Sequence, residues 1–462
     1  MHARTVLFLV PYRARDLDGH ALVGHHLKTR HGIASRFTNG YGIPGKLVRH
    51  APDAVVFDHL TWDFKAQEAL LAKRLGMKVF LLPTEGLFQE PDTAAHAAGK
   101  HFGATAILDG LFSWGQYVRR AILDQGLADP SRVHLTGCPR FDFYAEPCLS
   151  LVESREEFLG GLGFPDPAAP LVLWATSTPY VARDRKRIVR RYVRRGHWTL
   201  QQIEDELHDE ERMFAEGCAL LRRLAAAHPA WNFVIKVHPA EWAEPYAPFL
   251  REFRNVRIAH TEPIRGFLVH ADVLLQRNCT TASEAWMLGK PVVDLEIGTY
   301  RIPARAEYKA GSLVVATQEE AAGAVEACVE GAPLPPGQRA AREAFLREFY
   351  HRIDGRAAER CADHIAACLR PPAHDAAAQA RKDAAVREEA AAREAREGRR
   401  LVNRFKDLFK IPRGASLRVW KRLLPEEGRW FGERSTTEIE ITPEMVDELY
   451  QRYDSLAQDV RA

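Results

Sequence analysis

Through its first 145 residues the chain repeats one pattern, a short apolar run halted by Gly, Pro or a polar residue and often followed by a helical stretch. The runs are "TVLFLVP", "DAVVFDH", "KVFLLPT", "ATAILDG" and "RVHLTG"; "FKAQEALLAKRLG" and "GQYVRRAILDQG" are two of the helical stretches between them. Strands that alternate with helices at this spacing predict a mostly parallel, doubly wound sheet. The pattern lapses into Pro and Gly around "YAEPCLSLVESREEFLGGLGFPDPAAP" and then restarts. "LVLWATS", a long helix from Leu200, "NFVIKVHP", "NVRIAH", "DVLLQRN", "KPVVDLE" and "SLVVAT" describe a second α/β domain. The expected layout is a first Rossmann-like domain over 1–150, a second over 160–334, a helical crossover over 335–370 and a charged, amphipathic tail over 371–462.

Composition closes off several functional classes. A chain of 462 residues, 46% hydrophobic and 27% charged, suits a soluble protein of two or three domains. A net charge of +3 is too mild for bulk nucleic-acid binding. Seven scattered cysteines without a CxxC pair argue against a disulfide framework or a zinc site, and for a reducing cytoplasm. The apolar run before Tyr12 is too short for a signal peptide, and nothing approaches the roughly 18 apolar residues of a membrane span. The tail segment "AHDAAAQARKDAAVREEAAAREAREGRR" lacks an apolar stripe and predicts a solvated spacer helix. "LVNRFKDLFKIP" is basic and amphipathic, suited to a membrane surface or to packing on the first domain. A last helix would begin at Thr442 or Pro443 with Met445, Val446 and Leu449 on one face.

Function gathers where buried strands stop at polar clusters. Two parallel-sheet domains in series bind ligands in a cleft at the carboxyl ends of their strands. "VIKVHP" ends on Lys236 and His238, and "DVLLQRNCTTASEAW" on Gln276, Arg277, Asn278, Thr280 and Thr281 before a helix carrying Ser283 and Glu284. A helix start favours an anion, and hydroxyls there add hydrogen bonds; Thr280 or Thr281 could equally serve as a plain N-cap. His238, protonated or donating one N–H, would face the same anion. Ser177 and Thr178, closing "LVLWATS", are placed to touch a ligand as well.

"IKVHP" and "VLLQRNCTTASEAWMLGKPVV", with "LPTEG", "FSWGQY" and "LTGCPRFD", resemble GT-B glycosyltransferases of the bacterial surface-carbohydrate-biosynthesis and capsule Kdo-transferase type, and more distantly CDP-glycerol glycerophosphotransferases. The resemblance spans residues 5 to 370. It implies a GT-B fold, two Rossmann-like domains facing a cleft, in which His238, Thr280 and Thr281 hold a donor phosphate and Glu284 binds the ribose. Relatives often carry paired serines where this turn reads "NCTTAS", which leaves the nucleotide open. The implied activity is metal- and cofactor-independent transfer from a nucleotide sugar, CMP-Kdo-like or other, to a surface polysaccharide or lipid-linked acceptor. Alternatives are polyol-phosphate transfer from a CDP-alcohol, sugar-nucleotide 2-epimerisation, and non-catalytic nucleotide-sugar binding or scaffolding.

Such transfer takes its base from the first domain. Glu85, after "KVFLLPT", is the leading candidate, followed by Asp16 in the loop after the first strand and by Asp58 or His59. "DLD" at Asp16–Asp18 mimics a metal motif that the resemblance gives no use. Arg13 and Arg15 could hold an acceptor phosphate. The basic run from Arg183 to His197, including Arg187, is expected at the cleft rim, facing anionic acceptors or lipid on the cytoplasmic side of a membrane.

Overall fold

The computed structural model describes residues 4–61, 63–87, 104–194, 198–260, 262–304, 306–370, 379–393 and 441–459. The chain forms two compact units, Met1–Asp142 with Arg356–Ala462, and Phe143–Gly355. Each is built on a six-stranded sheet. The first contains β1 (Thr5–Leu9), β2 (Ala34–Thr38), β3 (Ala54–Phe57), β4 (Lys78–Leu81), β5 (Gly110–Ser113) and β6 (Val133–Leu135), in the order β2-β1-β3-β4-β5-β6. The second contains β7 (Leu171–Ala175), β8 (Asn232–Lys236), β9 (Val256–Ala259), β10 (Val273–Gln276), β11 (Val292–Leu295) and β12 (Leu313–Val315), in the order β12-β11-β10-β7-β8-β9. Every pairing is parallel.

Parallel strands are covered on both faces, so their sequences run apolar without alternation. Leu7 of β1 lies opposite Val55 of β3, and both are fully buried. Leu173 of β7 lies between Leu274 of β10 and Val234 of β8 in the same way. The sheet orders each contain one reversal. The first unit steps outward from β1 to β2 and then crosses to β3. The second runs β7-β8-β9 to one side and β10-β11-β12 to the other. The strand ends beside β1/β3 and beside β7/β10 are therefore the crevices where open α/β sheets take ligands.

Two strands differ from expectation. "ATAILDG" is a 3-10 turn at Ala104–Ile107, and β5 is the next stretch, "GLFS". Asp109 fixes this shift: its carboxylate accepts from the Val79 N–H and pairs with Lys73 and Lys78, which a strand interior would not permit. The edge strand β2, "ASRFT", has no apolar run because much of it faces solvent.

Helix Pro336–Tyr350 belongs to the second unit and helix Ala357–Leu369 to the first. Between them His351 and Gly355 take positive φ, 65° and 68°. Residues 379–393 are helical, and Ala385 and Val386 pack on the first unit's core while Lys382 pairs with Asp53 at 2.7 Å. This stretch is thus a docked helix, correcting the solvated spacer; alanines supply a close-packing face that a search for large apolar residues misses. Residues 401–412, the amphipathic "LVNRFKDLFKIP", lie outside the described residues. Helix Pro443–Asp459 does place Met445, Val446 and Leu449 on a half-buried face, with Tyr450 and Tyr453 buried beside them. Tyr450 approaches helix Arg13–His31 at Gly24, where a Cβ would meet its hydroxyl at 2.4 Å.

His134 at the end of the first sheet stacks on His364 with ring centroids 3.9 Å apart. Burial, then the facing His364, pushes His134 down to about 4, and burial lowers His364 too. The unfolded chain, with histidines near ~6.5, takes up protons between those values that the folded chain refuses, so falling pH favours unfolding. The melting temperature should drop from about pH 7 to about pH 5, and His134→Gln should flatten part of that drop. Equal drops in parent and variant would mean that His134 titrates normally in the fold.

Candidate functional site

The carboxyl ends of β7, β8 and β10 bring together most of the expected nucleotide-binding residues. His238 follows β8. Its backbone N–H donates to Thr176 Oγ1 at 3.0 Å, and the Ala240 N–H donates to its Nδ1 at 3.1 Å. With Nδ1 accepting, the ring proton resides on Nε2. Burial, then the neighbouring Lys236 and His260, pushes this imidazole down to about 4. Of the two forms expected, His238 is therefore the neutral N–H donor: the cost of burying a charge outweighs any gain before an anion arrives.

Several other expected ligands are committed within the protein. The Lys236 ammonium donates to the carbonyls of Val237 at 3.4 Å and His260 at 3.0 Å, and burial lowers it to about 8. Thr178 is buried, with its N–H on Glu241 and its hydroxyl 3.2 Å from Tyr246. Gln276 is fully buried and bridges two elements, donating to Asp294 of β11 at 2.5 Å and accepting from the Cys279 N–H at 2.6 Å. Ser283 donates to the Thr280 carbonyl and meets Tyr350 Oη, both at 2.6 Å. Arg277 lies 3.6 Å over the Tyr300 ring and donates to the Ile302 carbonyl at 3.0 Å. Asn278 makes the turn, at φ 48°.

What stays presented is smaller. Thr280 is exposed, and although it occupies the N-cap of helix Thr281–Met287 its hydroxyl makes no capping bond. Thr280 is thus the N-cap by position, without the side-chain bond of a capping hydroxyl. Thr281 Oγ1 lies 3.1 Å from Cys279 Sγ, and Ser177 is half-buried. Glu284, nearly buried, accepts from the Tyr144 hydroxyl.

Sequence reasoning missed Asp294, Glu241, Tyr144 and Glu210. Burial, then Glu296, raises Asp294 to about 7; it left a signal, an acid inside the apolar "PVVDL". Glu210, raised to about 9 by burial, accepts from the Tyr180 N–H at 2.7 Å and left none, being one acid among many in helix Leu200–Ala227.

In the first unit the expected catalytic and anion-holding residues also converge. Asp16 lies in the first turn of helix Arg13–His31, not in a loop, and is buried. Arg15 grips it through two bonds of 2.8 and 3.0 Å and reaches Glu85 at 3.2 Å, and Arg140 stands 3.9 Å from it. Glu85 is 70% exposed. Asp58, buried at the end of β3, lies 3.3 Å from both Lys65 and His59. Arg13 instead turns to Met445 Sδ, 3.8 Å away. In the second unit Arg183 donates to the Ala240 carbonyl, and Arg187 is exposed on helix Arg185–Arg194. That helix seats Ile188 on Ile203 and Leu207, while Arg185 pairs with Glu204 and Glu211. Among the described residues no three acids, histidines or cysteines are arranged to hold a metal ion, and no helix is long and apolar enough to cross a membrane.

Solved structures of the same architecture exist. The fold is GT-B-like. The UDP-GlcNAc 2-epimerase from Neisseria meningitidis, bound to UDP-GlcNAc, is similar at 16% identity and a TM-score of 0.51, over 78% of this chain and 99% of that one. S. aureus MnaA with UDP is similar at 13% identity and a TM-score of 0.50, over 79% and 97%. No protein-family model and no curated protein matches the sequence. The Neisseria protein is by its name a UDP-GlcNAc 2-epimerase, an isomerase of a nucleotide sugar, and this likeness overturns the expected glycosyltransferase activity; Kdo transfer, capsule and lipopolysaccharide find no support.

Gln276→Leu tests which polar residues build the site and which belong to the frame. It leaves the Cys279 N–H and the Asp294 carboxyl without their buried partner, at a cost of about 1–3 kcal/mol. Denaturant unfolding should register that loss. An unchanged midpoint would show that the turn after β10 does not depend on the amide.

Proposed function

We propose that the second unit binds the nucleotide of a nucleotide sugar beside the ends of β7 and β10, and that the protein is a sugar-nucleotide 2-epimerase. The observation that carries this reading is His238, held as a neutral Nε2–H donor at a strand end beside the β7/β10 reversal, with the uncommitted Thr280 hydroxyl on the turn after β10. The fold shared with UDP-GlcNAc 2-epimerases supports it.

The chemistry fits such donors. The hydrogen at a sugar's C2 is not acidic while C1 carries its diphosphate. Elimination breaks the C1–O bond to the nucleotide diphosphate and passes the C2 proton to a base, leaving a C1=C2 double bond; protonation of C2 on the other face and return of the diphosphate oxygen to C1 then give the 2-epimer. The nucleotide must stay bound meanwhile, so hydrogen bonds that strengthen as the phosphate gains charge favour the reaction. A neutral N–H donor does this without a buried cation to desolvate. We assign Glu284 to the ribose, where its bond from Tyr144 would orient the carboxylate, and Glu85 to proton transfer at C2, with Arg15 orienting it.

The test is incubation with UDP-GlcNAc in heavy water. The reading expects deuterium at C2 and the 2-epimer as product; recovery of unlabelled substrate after long incubation would overturn epimerisation. His238→Ala should weaken UDP binding about tenfold to a hundredfold, the loss of one charge-assisted bond of ~1.5–3 kcal/mol. Unchanged affinity would remove the histidine from the site. Glu85→Gln should slow exchange by ~10²-fold with UDP affinity near that of the parent. Full activity in that variant would move the proton-transfer role to Asp58 or Asp16.

A further inference from the structure

Three residues beyond His238, a carboxylate is sealed beneath the same turn. Glu241 is 3% exposed and accepts from three donors: the Thr178 N–H at 2.5 Å, the Thr176 hydroxyl at 2.8 Å and the Tyr246 hydroxyl at 2.7 Å. Its own N–H donates to the His238 carbonyl at 2.8 Å. Because the Thr176 hydroxyl gives its proton to Glu241, its lone pair is turned to receive the His238 N–H at 3.0 Å. The same turn brings the Ala240 N–H to His238 Nδ1, and Arg183 holds the Ala240 carbonyl from outside.

We infer that Glu241 is a positioning residue that fixes the Nε2–H tautomer of His238 through Thr176 and the Ala240 N–H, an inference that rests on His238 being the phosphate donor. A carboxylate suits the task because it accepts on both oxygens. A glutamine offers a single carbonyl oxygen and an N–H₂ group that must itself donate; with the oxygen kept on the Thr178 N–H, the N–H₂ faces the Thr176 and Tyr246 hydroxyls, which share the other carboxylate oxygen, and Thr176 is pulled out of line. The turn then relaxes, the Ala240 N–H no longer claims Nδ1, and the proton divides between the two ring nitrogens. In the Nδ1–H form, Nε2 presents a lone pair to a phosphate oxygen, which repels it. Both Glu241 oxygens are already occupied by donors, so it is not a ligand to the nucleotide.

The readout is side-chain ¹⁵N NMR of His238 in the ligand-free protein, with calorimetry using UDP. The parent should show Nε2 protonated and Nδ1 bare. Glu241→Gln should show both tautomers and lose UDP affinity about tenfold, whereas Thr176→Ser, which keeps the hydroxyl, should resemble the parent in both measurements. A single Nε2–H tautomer with parental affinity in Glu241→Gln would overturn the proposal. Should that variant not fold, Thr176→Val takes its place with the same two outcomes. Failure of the parent to bind UDP would sink the nucleotide reading alone, since the tautomer is read without ligand.

Discussion

The carboxylate of Asp142 closes the first unit. Its two oxygens accept from the N–H groups of Ala357 and Ala358, at 2.8 and 2.7 Å, across more than two hundred residues of chain. Helix Ala357–Leu369 starts on these bonds, and an acid at a helix start satisfies unpaired N–H groups and complements the helix dipole. Arg360, one turn on, donates to the Thr136 carbonyl at 2.7 Å. The chain therefore leaves the first unit and re-enters it at one point, and the second unit is an insertion there. Gly355 belongs to the same solution: at φ 68° a Cβ would meet the Glu146 carbonyl oxygen at 2.6 Å, so the returning segment passes only because the side chain is missing.

Within the second unit, the polar strand ends divide into two sets of residues with different partners. Gln276, Ser283, Thr178 and Glu241 face one another or buried tyrosines and amides, and they give the loops one conformation. Thr280, Ser177 and the Nε2 edge of His238 are what that rigid set leaves over. Burial explains the division. A polar group removed from water must find a partner within the protein, so the deepest polar residues are the ones least able to serve a ligand. A site built this way is supported from below by groups that never touch its ligand.

The same division sets what could be read from the sequence. Both sheets were legible because parallel strands announce themselves as unbroken apolar runs, and β2 escaped because an edge strand need not. His238 was legible as a histidine closing a core strand. Gln276 and Ser283 looked like ligands, since a polar residue at a strand end is consistent with either role; what decides is the residue opposite, Asp294 or Tyr350, and one-dimensional order does not show it. Glu241 was illegible for the same reason. Thr176 lies 65 residues before it and is brought to it only by the pairing of β7 with β8. "PYRARD" looks like a strand exit, which puts Asp16 in a loop on sequence alone, whereas the helix begins at Arg13 directly after Tyr12.

The activity itself was the furthest reach, because the motif, read as a phosphate holder, speaks to only one half of a reaction. A histidine donor and hydroxyls at strand ends stabilise a departing phosphate. Glycosyl transfer and 2-epimerisation of a nucleotide sugar both begin with that departure; they differ in what reaches the sugar next, an acceptor hydroxyl or a base at C2. Residues that hold the phosphate cannot distinguish these, because they serve only the step that the two reactions share. The discriminating groups must be those that meet the sugar. In this chain the charged residues Arg15, Asp16, Asp58, His59 and Glu85 collect at the ends of β1, β3 and β4, bound mostly to one another. Asp16 is spent on Arg15 and Asp58 on Lys65, while Glu85 keeps most of its surface in solvent. Of the three carboxylates in that set, Glu85 is the exposed one, and Arg15 is its partner.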